Sequence, residues 1–184
     1  RTVIIGTPTK EQKDRFTRVL KGHIAIATCS FKKGTQGSSL DPLARKSLLE
    51  IGCDYDHGTG HGVGNFLNVH EGPQRIAKNT RSDDSVIKEG MIISNEPGFY
   101  KKNDYGIRIE NLIITKKKLK HNLIFETISF APIDIALIDT SLLTPKEMKW
   151  INSYHKKVYE NLKEQLNYNE QKWLKDITQP IKKN

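Results

Sequence analysis

Three histidines lie close together in one glycine-rich stretch, residues 56–73. They are His57, His61 and His70, and they make up three of the six histidines of the chain, interspersed with five glycines. Imidazole binds metals and exchanges protons near neutral pH, and glycine lets the backbone approach a ligand closely. A surface turn with incidental histidines is the alternative. Two segments further along the chain favour a catalytic or metal-binding stretch instead.

The first of these segments contributes a glutamate at the end of an apolar run. The run Met91–Ser94 predicts a short buried strand, and Glu96 stands where that strand stops. Pro97 favours an extended conformation for the residue before it, which fixes the direction of the Glu96 side chain. Glu96 is therefore a candidate metal ligand.

The second segment carries two charged residues within an apolar run. Alternation of residue types predicts a strand over Ile107–Ile114, with Arg108 and Glu110 on the same face. Charges in such a setting need a partner. Taken alone, the segment favours an internal ion pair between the two. Taken with His61 and Glu96, it favours Glu110 as a metal ligand.

Three motifs together resemble one enzyme family. The runs GTGHGVGNFLNVHEGP, NEPGFY and YGIRIEN are similar to the catalytic domain of the Xaa-Pro aminopeptidases. These are pita-bread metallopeptidases, a superfamily shared with methionine aminopeptidase, prolidase and creatinase. The runs LNVHEGP, TISFAPID and ITQPI resemble the long eukaryotic-type cytosolic aminopeptidase P more than prolidase. The resemblance implies an α+β fold: the C-terminal portion of a pita-bread domain, an antiparallel sheet covered by helices, with a helical C-terminal extension.

The resemblance also assigns roles at the candidate site. It implies that His61, Glu96 and Glu110 are metal ligands. From the chemistry of the site, one of the two glutamates, with Glu96 favoured, is expected to pass a proton to the leaving proline nitrogen. His70 matches a histidine that contacts the substrate and assists proton transfer. His57 matches a histidine that lines the substrate cleft.

Two further residues are expected near the substrate. Arg108 is expected to hold the Glu110 region and its hydrogen bonds in place, as residues behind metal ligands do, and to lie at the substrate cleft. Tyr100 is a candidate for the wall of the cleft, with simple packing as its alternative.

The chain departs from the family pattern in its ligand count. Pita-bread enzymes use five protein ligands, and two of them are aspartates just upstream of a sequence like Arg1-Thr2-Val3. Asp83–Asp84 falls in a polar loop and is not expected to replace them. We therefore expect the chain to be a piece of a longer protein whose N-terminal segment supplies both aspartates. Residues 1–140 would complete the catalytic domain and residues 141–184 would form the helical extension.

The ligand types define the expected cofactor and reaction. Imidazole and carboxylate suit borderline-to-hard divalent ions, and bridging carboxylates imply a pair of them. The resemblance implies manganese, while cobalt or zinc would also suit the ligands. The expected function is an aminopeptidase that removes the residue before proline, using a hydroxide that bridges the two ions. The alternatives are a prolidase-type dipeptidase and a non-catalytic pita-bread module that binds nucleic acid or protein.

Composition bounds the partners and the compartment. The net charge of +9 reflects 30 basic and 21 acidic residues among 184. The lysines are dispersed and lack the interleaved aromatics that stack on bases, so solvated surface is favoured over nucleic-acid binding. Two cysteines without CxxC spacing favour a reducing compartment. No apolar run approaches the length of a membrane span. The compartment expected from this composition is the cytoplasm, and the family resemblance adds peptide substrates and a homodimer.

The remaining sequence predicts the elements that position the site. Capping boxes at Thr9 and Thr144 predict the starts of two amphipathic helices. A helix beginning at Pro42 is expected to stop before Gly52, and a further strand is expected over Ile124–Ala131. On the first helix His23 is interpreted as packed rather than catalytic. Near the C-terminus Trp173 and Leu174 are expected to dock a short last helix.

Overall fold

A computed structural model describes residues 1–81, 85–119 and 121–183. It contains helices and antiparallel sheets, which confirms the predicted α+β class. Asp83–Asp84 lies outside the described residues. In chain order the helices are α1 (Lys10–Thr28), α2 (Asp41–Leu49), α3 (Pro145–Leu162) and α4 (Tyr168–Ile177). The strands are β1 (Ser30–Lys32), β2 (Gly60–His61), β3 (Arg75–Ile76), β4 (Ile92–Asn95), β5 (Gly98–Tyr100), β6 (Gly106–Arg108), β7 (Asn111–Lys117) and β8 (Asn122–Thr127).

Helix starts follow the local sequence. Thr9 caps α1 in a reciprocal capping box with Gln12, as predicted. Thr144 caps α3 in the same way, with Glu147 as its partner. Helix α2 starts at Asp41 with proline in its first turn, and Gly52 follows with φ +70°. These ends depend on residues within one turn of each other, which is why the sequence alone predicts them.

A four-stranded antiparallel sheet forms the centre of the structure, in the order β1-β8-β7-β4. Helices α1 and α2 contribute to one apolar cluster with these strands. Its members are Ile26, Phe31, Leu40, Ala44, Ile76, Ile87, Ile93, Ile113, Leu123 and Phe125. The two helices approach closely at Gly22, where an added Cβ would lie 2.0 Å from the Ala44 carbonyl oxygen. The packing holds α1 directly behind the sheet.

The prediction of one continuous strand over Ile107–Ile114 is wrong. Strand β6 ends at Arg108 and pairs with β5, whereas β7 starts at Asn111 and pairs with β4. Opposite this break lies Pro97, which has no N–H to donate to a sheet ladder. Its carbonyl oxygen still accepts a hydrogen bond from the Ile109 N–H, at 3.3 Å. Glu110 therefore stands in a gap between two strands.

Helices α3 and α4 pack against a second apolar cluster that includes the core-facing side of α1. Lys21 on α1 pairs with Glu147 at the start of α3, with Nζ 2.8 Å from Oε2. On α4, Leu174 is buried as predicted, but Trp173 is 58% exposed. The expectation that both dock is wrong for Trp173, because neighbouring residues on a helix point about 100° apart. In the described part of the chain, no helix combines the length and apolar character needed to cross a bilayer.

Candidate metal centre

Three candidate ligands meet at the break between β6 and β7. His61 ends β2, Glu96 directly follows β4, and Glu110 stands between β6 and β7. One ligand atom from each of these residues lies within 4.8 Å of the other two. Residues that are far apart in sequence therefore form one group of an imidazole and two carboxylates.

Close backbone contact packs β2, the strand that contains His61, against β4. An added Cβ at Gly60 would lie 1.9 Å from the Ser94 carbonyl oxygen, so this contact requires glycine. The His61 N–H donates to Ser94 Oγ at 2.9 Å, and Ser94 Oγ donates to Glu96 Oε1 at 2.9 Å. Ser94 thus links two candidate ligands. Sequence reasoning missed it, although a hydroxyl two residues before Glu96 on an extended chain shares its face.

Hydrogen bonding orients the His61 ring. Its Nδ1 lies 3.0 Å from the Gly62 carbonyl oxygen, which only accepts, so Nδ1 carries the proton. In a neutral ring Nε2 then presents a lone pair to Glu96 Oε1, only 3.2 Å away. Two acceptors this close repel each other unless a cation or proton lies between them. The arrangement fits a metal ligand whose other nitrogen is held by a carbonyl.

Arg108 contacts a different glutamate from the one expected. Its Nη1 lies 3.3 Å from Glu96 Oε2, so the ion pair forms with Glu96 and not with Glu110. The reason is the strand register: Arg108 pairs with Gly98 across β5 and β6, which makes Glu96 its diagonal neighbour. The interpretation of Arg108 as the residue that holds Glu110 is corrected accordingly.

Tyr100 lies beside Arg108 and His57. Its hydroxyl accepts a hydrogen bond from Arg108 Nε at 2.8 Å and lies 2.9 Å from His57 Nε2. The His57 ring also packs on Tyr55, with ring centroids 4.7 Å apart. Tyr100 therefore connects the two cleft residues and is not merely packed in the core.

A cleft of about 460 Å³ opens over these residues. His57, His61, His70, Glu96 and Arg108 line it. The His70 ring lies 4.2 Å from the His61 ring, centroid to centroid, but His70 is outside the three-residue ligand cluster. The structure therefore brings all three histidines of the glycine-rich stretch to one cleft.

A buried ion pair supports the cleft from behind. Arg45 and Asp41 are 2% and 1% exposed, with Arg45 Nε 2.5 Å from Asp41 Oδ2. Arg45 Nη2 donates to the His57 carbonyl oxygen at 2.8 Å, and Thr59 Oγ1 donates to Asp41 Oδ1 at 2.7 Å. The Thr59 carbonyl oxygen in turn accepts from the Glu96 N–H at 2.8 Å. Sequence reasoning missed this pair, because an acid and a base four residues apart on a helix usually lie on the surface.

The donor set fits a divalent metal ion. One imidazole nitrogen and two carboxylates are ligands suited to borderline or hard cations. The Glu96 side chain is 9% exposed, so its charge needs compensation near the cluster. Arg108 supplies part of it at Oε2, while Oε1 faces the His61 lone pair. A cation between His61, Glu96 and Glu110 would bind the His61 lone pair and neutralise the remaining carboxylate charge.

Sequence families match the chain over most of its length. The model of metallopeptidase family M24 matches residues 1–117, and the model of the C-terminal region of peptidase M24 matches residues 122–181. A probable Xaa-Pro aminopeptidase P from Coprinopsis cinerea is 50% identical over 190 aligned positions, covering 98% of this chain. A relative with the same description from Coccidioides posadasii is 45% identical. The chain spans only about 30% of the length of these curated relatives.

Solved structures share the fold. The X-prolyl aminopeptidase from Caenorhabditis elegans, a cytosolic enzyme with a di-nuclear active site, superposes with a TM-score of 0.92 at 40% identity. That match covers 98% of this chain and 31% of the solved chain. The prolidase from Pyrococcus horikoshii superposes with a TM-score of 0.57 at 35% identity. That match covers 69% of this chain and 34% of the prolidase chain. With a family match over residues 1–117 and the pita-bread architecture of its neighbours, the chain belongs to metallopeptidase family M24.

Proposed function

We propose that the chain is part of an Xaa-Pro aminopeptidase, which removes the N-terminal residue of a peptide whose second residue is proline. The observation that carries the proposal is the convergence of His61, Glu96 and Glu110 in one cluster, two of whose members, His61 and Glu96, also line the histidine-lined cleft. The relatives at 45–50% identity, each a probable Xaa-Pro aminopeptidase P, support the substrate class.

The same three residues would hold the metal. We propose two divalent ions, with manganese preferred over cobalt or zinc. When bound, such ions polarise a carbonyl group and lower the pKa of a water molecule. The di-nuclear site of the nematode aminopeptidase supports the number of ions.

The other cleft residues would bind the peptide and move protons. His70 stands beside His61 and is exposed to the cleft, so it is placed to contact the substrate and transfer a proton. Glu96 is the second acid–base candidate and would protonate the leaving proline nitrogen. Arg108, Tyr100 and His57 form one hydrogen-bonded wall along which the peptide would lie.

Further ligands would come from another segment of a longer protein. The described residues contribute three ligands to the cluster, and the curated relatives are about three times as long as this chain. We propose that a preceding segment supplies two aspartates and that residues 1–140 and 141–184 form the catalytic and helical parts. A cytoplasmic homodimer is part of the same proposal, supported in its location by the cytosolic nematode enzyme.

Prolidase is the alternative within catalysis. The prolidase from Pyrococcus horikoshii matches 69% of this chain, whereas the nematode aminopeptidase matches 98%. These observations favour the aminopeptidase.

Cleavage assays with the full-length protein test the proposal. With Mn²⁺ added, the protein should release the first residue of Xaa-Pro-Xaa tripeptides and should not cleave a matched Xaa-Ala-Xaa peptide. The His61→Ala variant should be inactive. Preferred cleavage of Xaa-Pro dipeptides would indicate a prolidase, and metal-independent binding of a partner without cleavage would indicate a non-catalytic module.

A further inference from the structure

His23 lies on α1, behind the candidate metal centre and completely buried. Its Nδ1 lies 3.1 Å from the carbonyl oxygen of Asn95, the residue before Glu96. Its Nε2 lies 3.1 Å from the side-chain nitrogen of Asn111, the residue after Glu110. One imidazole thus bridges the two chain segments that carry the candidate carboxylate ligands.

The protonation of the ring follows from its partners. A carbonyl oxygen only accepts, so Nδ1 carries the proton and donates to Asn95. Nε2 must then accept from Asn111, whose side-chain oxygen is already directed at other donors. Arg1 Nη2 lies 2.5 Å from that oxygen and Tyr154 donates to it at 3.1 Å. The amide therefore presents its N–H group to His23, and only the neutral Nδ1–H form of the ring completes both bonds.

The surroundings keep the ring neutral and fixed. Burial, and then the positive charge of Arg1, lower the pKa of His23 to about 3. The Asn95 side chain returns a hydrogen bond to the His23 carbonyl oxygen at 2.9 Å. Trp150 closes the other side, with its ring centroid 5.8 Å from that of His23 in an edge-on arrangement. Both ring nitrogens are buried and both have a partner, so the ring can neither turn nor lose either bond without leaving a buried polar atom unsatisfied.

We propose that His23 is a positioning residue that holds Glu96 and Glu110 at the separation required for metal binding. Asn95 and Asn111 pair directly in the β4–β7 register, at the last rung before the strand break. The break removes the hydrogen bonds of the sheet ladder where the two glutamates stand. The hydrogen bonds of the His23 ring to Asn95 and Asn111 link the two segments beside this break. The inference rests on the proposed metal centre, and it adds a residue that contacts neither metal nor peptide.

Mn²⁺ titration of the full-length protein, followed by the electron paramagnetic resonance signal of free Mn²⁺, tests the inference without any peptide. His23→Leu removes both bonds while filling the space, and should raise the Kd by about 10–100-fold, the usual effect of residues behind metal ligands. His23→Asn retains a donor near the Nδ1 position, and His23→Gln retains an acceptor near Nε2. Each should lose less affinity than His23→Leu.

Thr17→Val is the matched control. Thr17 is buried on the same helix, and its hydroxyl accepts from the Asp139 N–H at 2.8 Å, away from the metal centre. This variant should lower the unfolding temperature without changing the Kd for Mn²⁺. If His23→Leu and Thr17→Val lower stability alike and both bind Mn²⁺ as tightly as wild type, His23 is only a core residue and the proposal is overturned.

The outcomes separate this inference from the proposed function. If wild type binds Mn²⁺ but does not cleave Xaa-Pro peptides, the function is wrong while the affinity loss in His23→Leu still supports the positioning role. If wild type binds no Mn²⁺, the positioning role fails with the metal centre. Should His23→Leu not fold, the Asn and Gln variants decide: wild-type Kd values in both would overturn the proposal.

Discussion

Glu96 and Glu110 occupy directly opposite positions on two antiparallel segments, although neither residue belongs to a strand. The register pairs Asn95 with Asn111 before the break and Gly98 with Arg108 after it. The same register therefore runs across the gap and sets one glutamate against the other. Like charges in directly opposite positions are destabilising. A metal ion between the two carboxylates would attract both of them and so offset this repulsion.

Metal-dependent stability follows from that relationship. Mn²⁺ at about 100 times its Kd should stabilise the full-length protein by about 2.7 kcal/mol, measured as a rise in melting temperature. Glu110→Gln should abolish most of this rise, because it removes a ligand, and it should leave the metal-free protein at least as stable as wild type. Glu160→Gln on the exposed face of α3 is the control. An equal Mn²⁺ response in Glu110→Gln and wild type would contradict the ligand assignment.

His70 should act on turnover and not on metal binding. His70→Ala is expected to lower kcat by roughly 10²–10⁴, the usual range for a general acid–base residue. The metal content should change little, because His70 is outside the ligand cluster. Steady-state kinetics and metal analysis of the same preparation measure both quantities. His121→Ala, at an exposed position in the β7–β8 turn, is the control and should match wild type. Stoichiometric loss of metal in His70→Ala would show that His70 is itself a ligand.

Breaking the buried pair of Arg45 and Asp41 should destabilise the cleft. Arg45→Met leaves Asp41 buried without its ion partner, a change that typically costs about 3–5 kcal/mol. It also removes the hydrogen bond to the His57 carbonyl oxygen. Urea denaturation gives the stability, and the KM for peptide should rise because His57 lines the cleft. Lys78→Ala, which removes a half-exposed partner of Asp54, should cost about 1 kcal/mol or less. Equal losses in the two variants would refute the supporting role of the buried pair.

Acid should destabilise the protein through His155. Burial, and then the charge of Arg1, lower the pKa of His155 to about 4. The unfolded state, with an ordinary histidine pKa near 6.5, therefore binds more protons as the pH falls. The stability from this group is complete above about pH 6.5 and is lost as the pH falls toward 4.

Urea midpoints at pH 7.5 and pH 5.0 measure this effect. The group should account for a loss on the order of 2 kcal/mol between those two values. His155→Gln has no titrating ring and is the comparison. Its stability should fall less over the same interval, with other histidines contributing equally to both proteins. Parallel losses would show that His155 does not supply the pH dependence.

Local chemistry explains what the sequence by itself determined. The capping boxes at Thr9 and Thr144 depend on pairs three residues apart, and both helices start where they were predicted. Glu96 follows β4 because Pro97 interrupts the ladder. The glycine-rich stretch and the two glutamate motifs were sufficient to predict the α+β fold and the metallopeptidase family.

Tertiary structure decided what depends on distant residues. The sequence paired Arg108 with its neighbour Glu110, but the strand register brings it to Glu96. His23 and the pair of Arg45 and Asp41 are ordinary helix residues until burial directs their hydrogen bonds at the site. The contacts of these side chains with the site join residues from 12 to 88 positions apart, and no local pattern encodes which donor faces which acceptor. The sequence thus showed which chemical groups the site would use, and tertiary packing decided which of these groups are in contact.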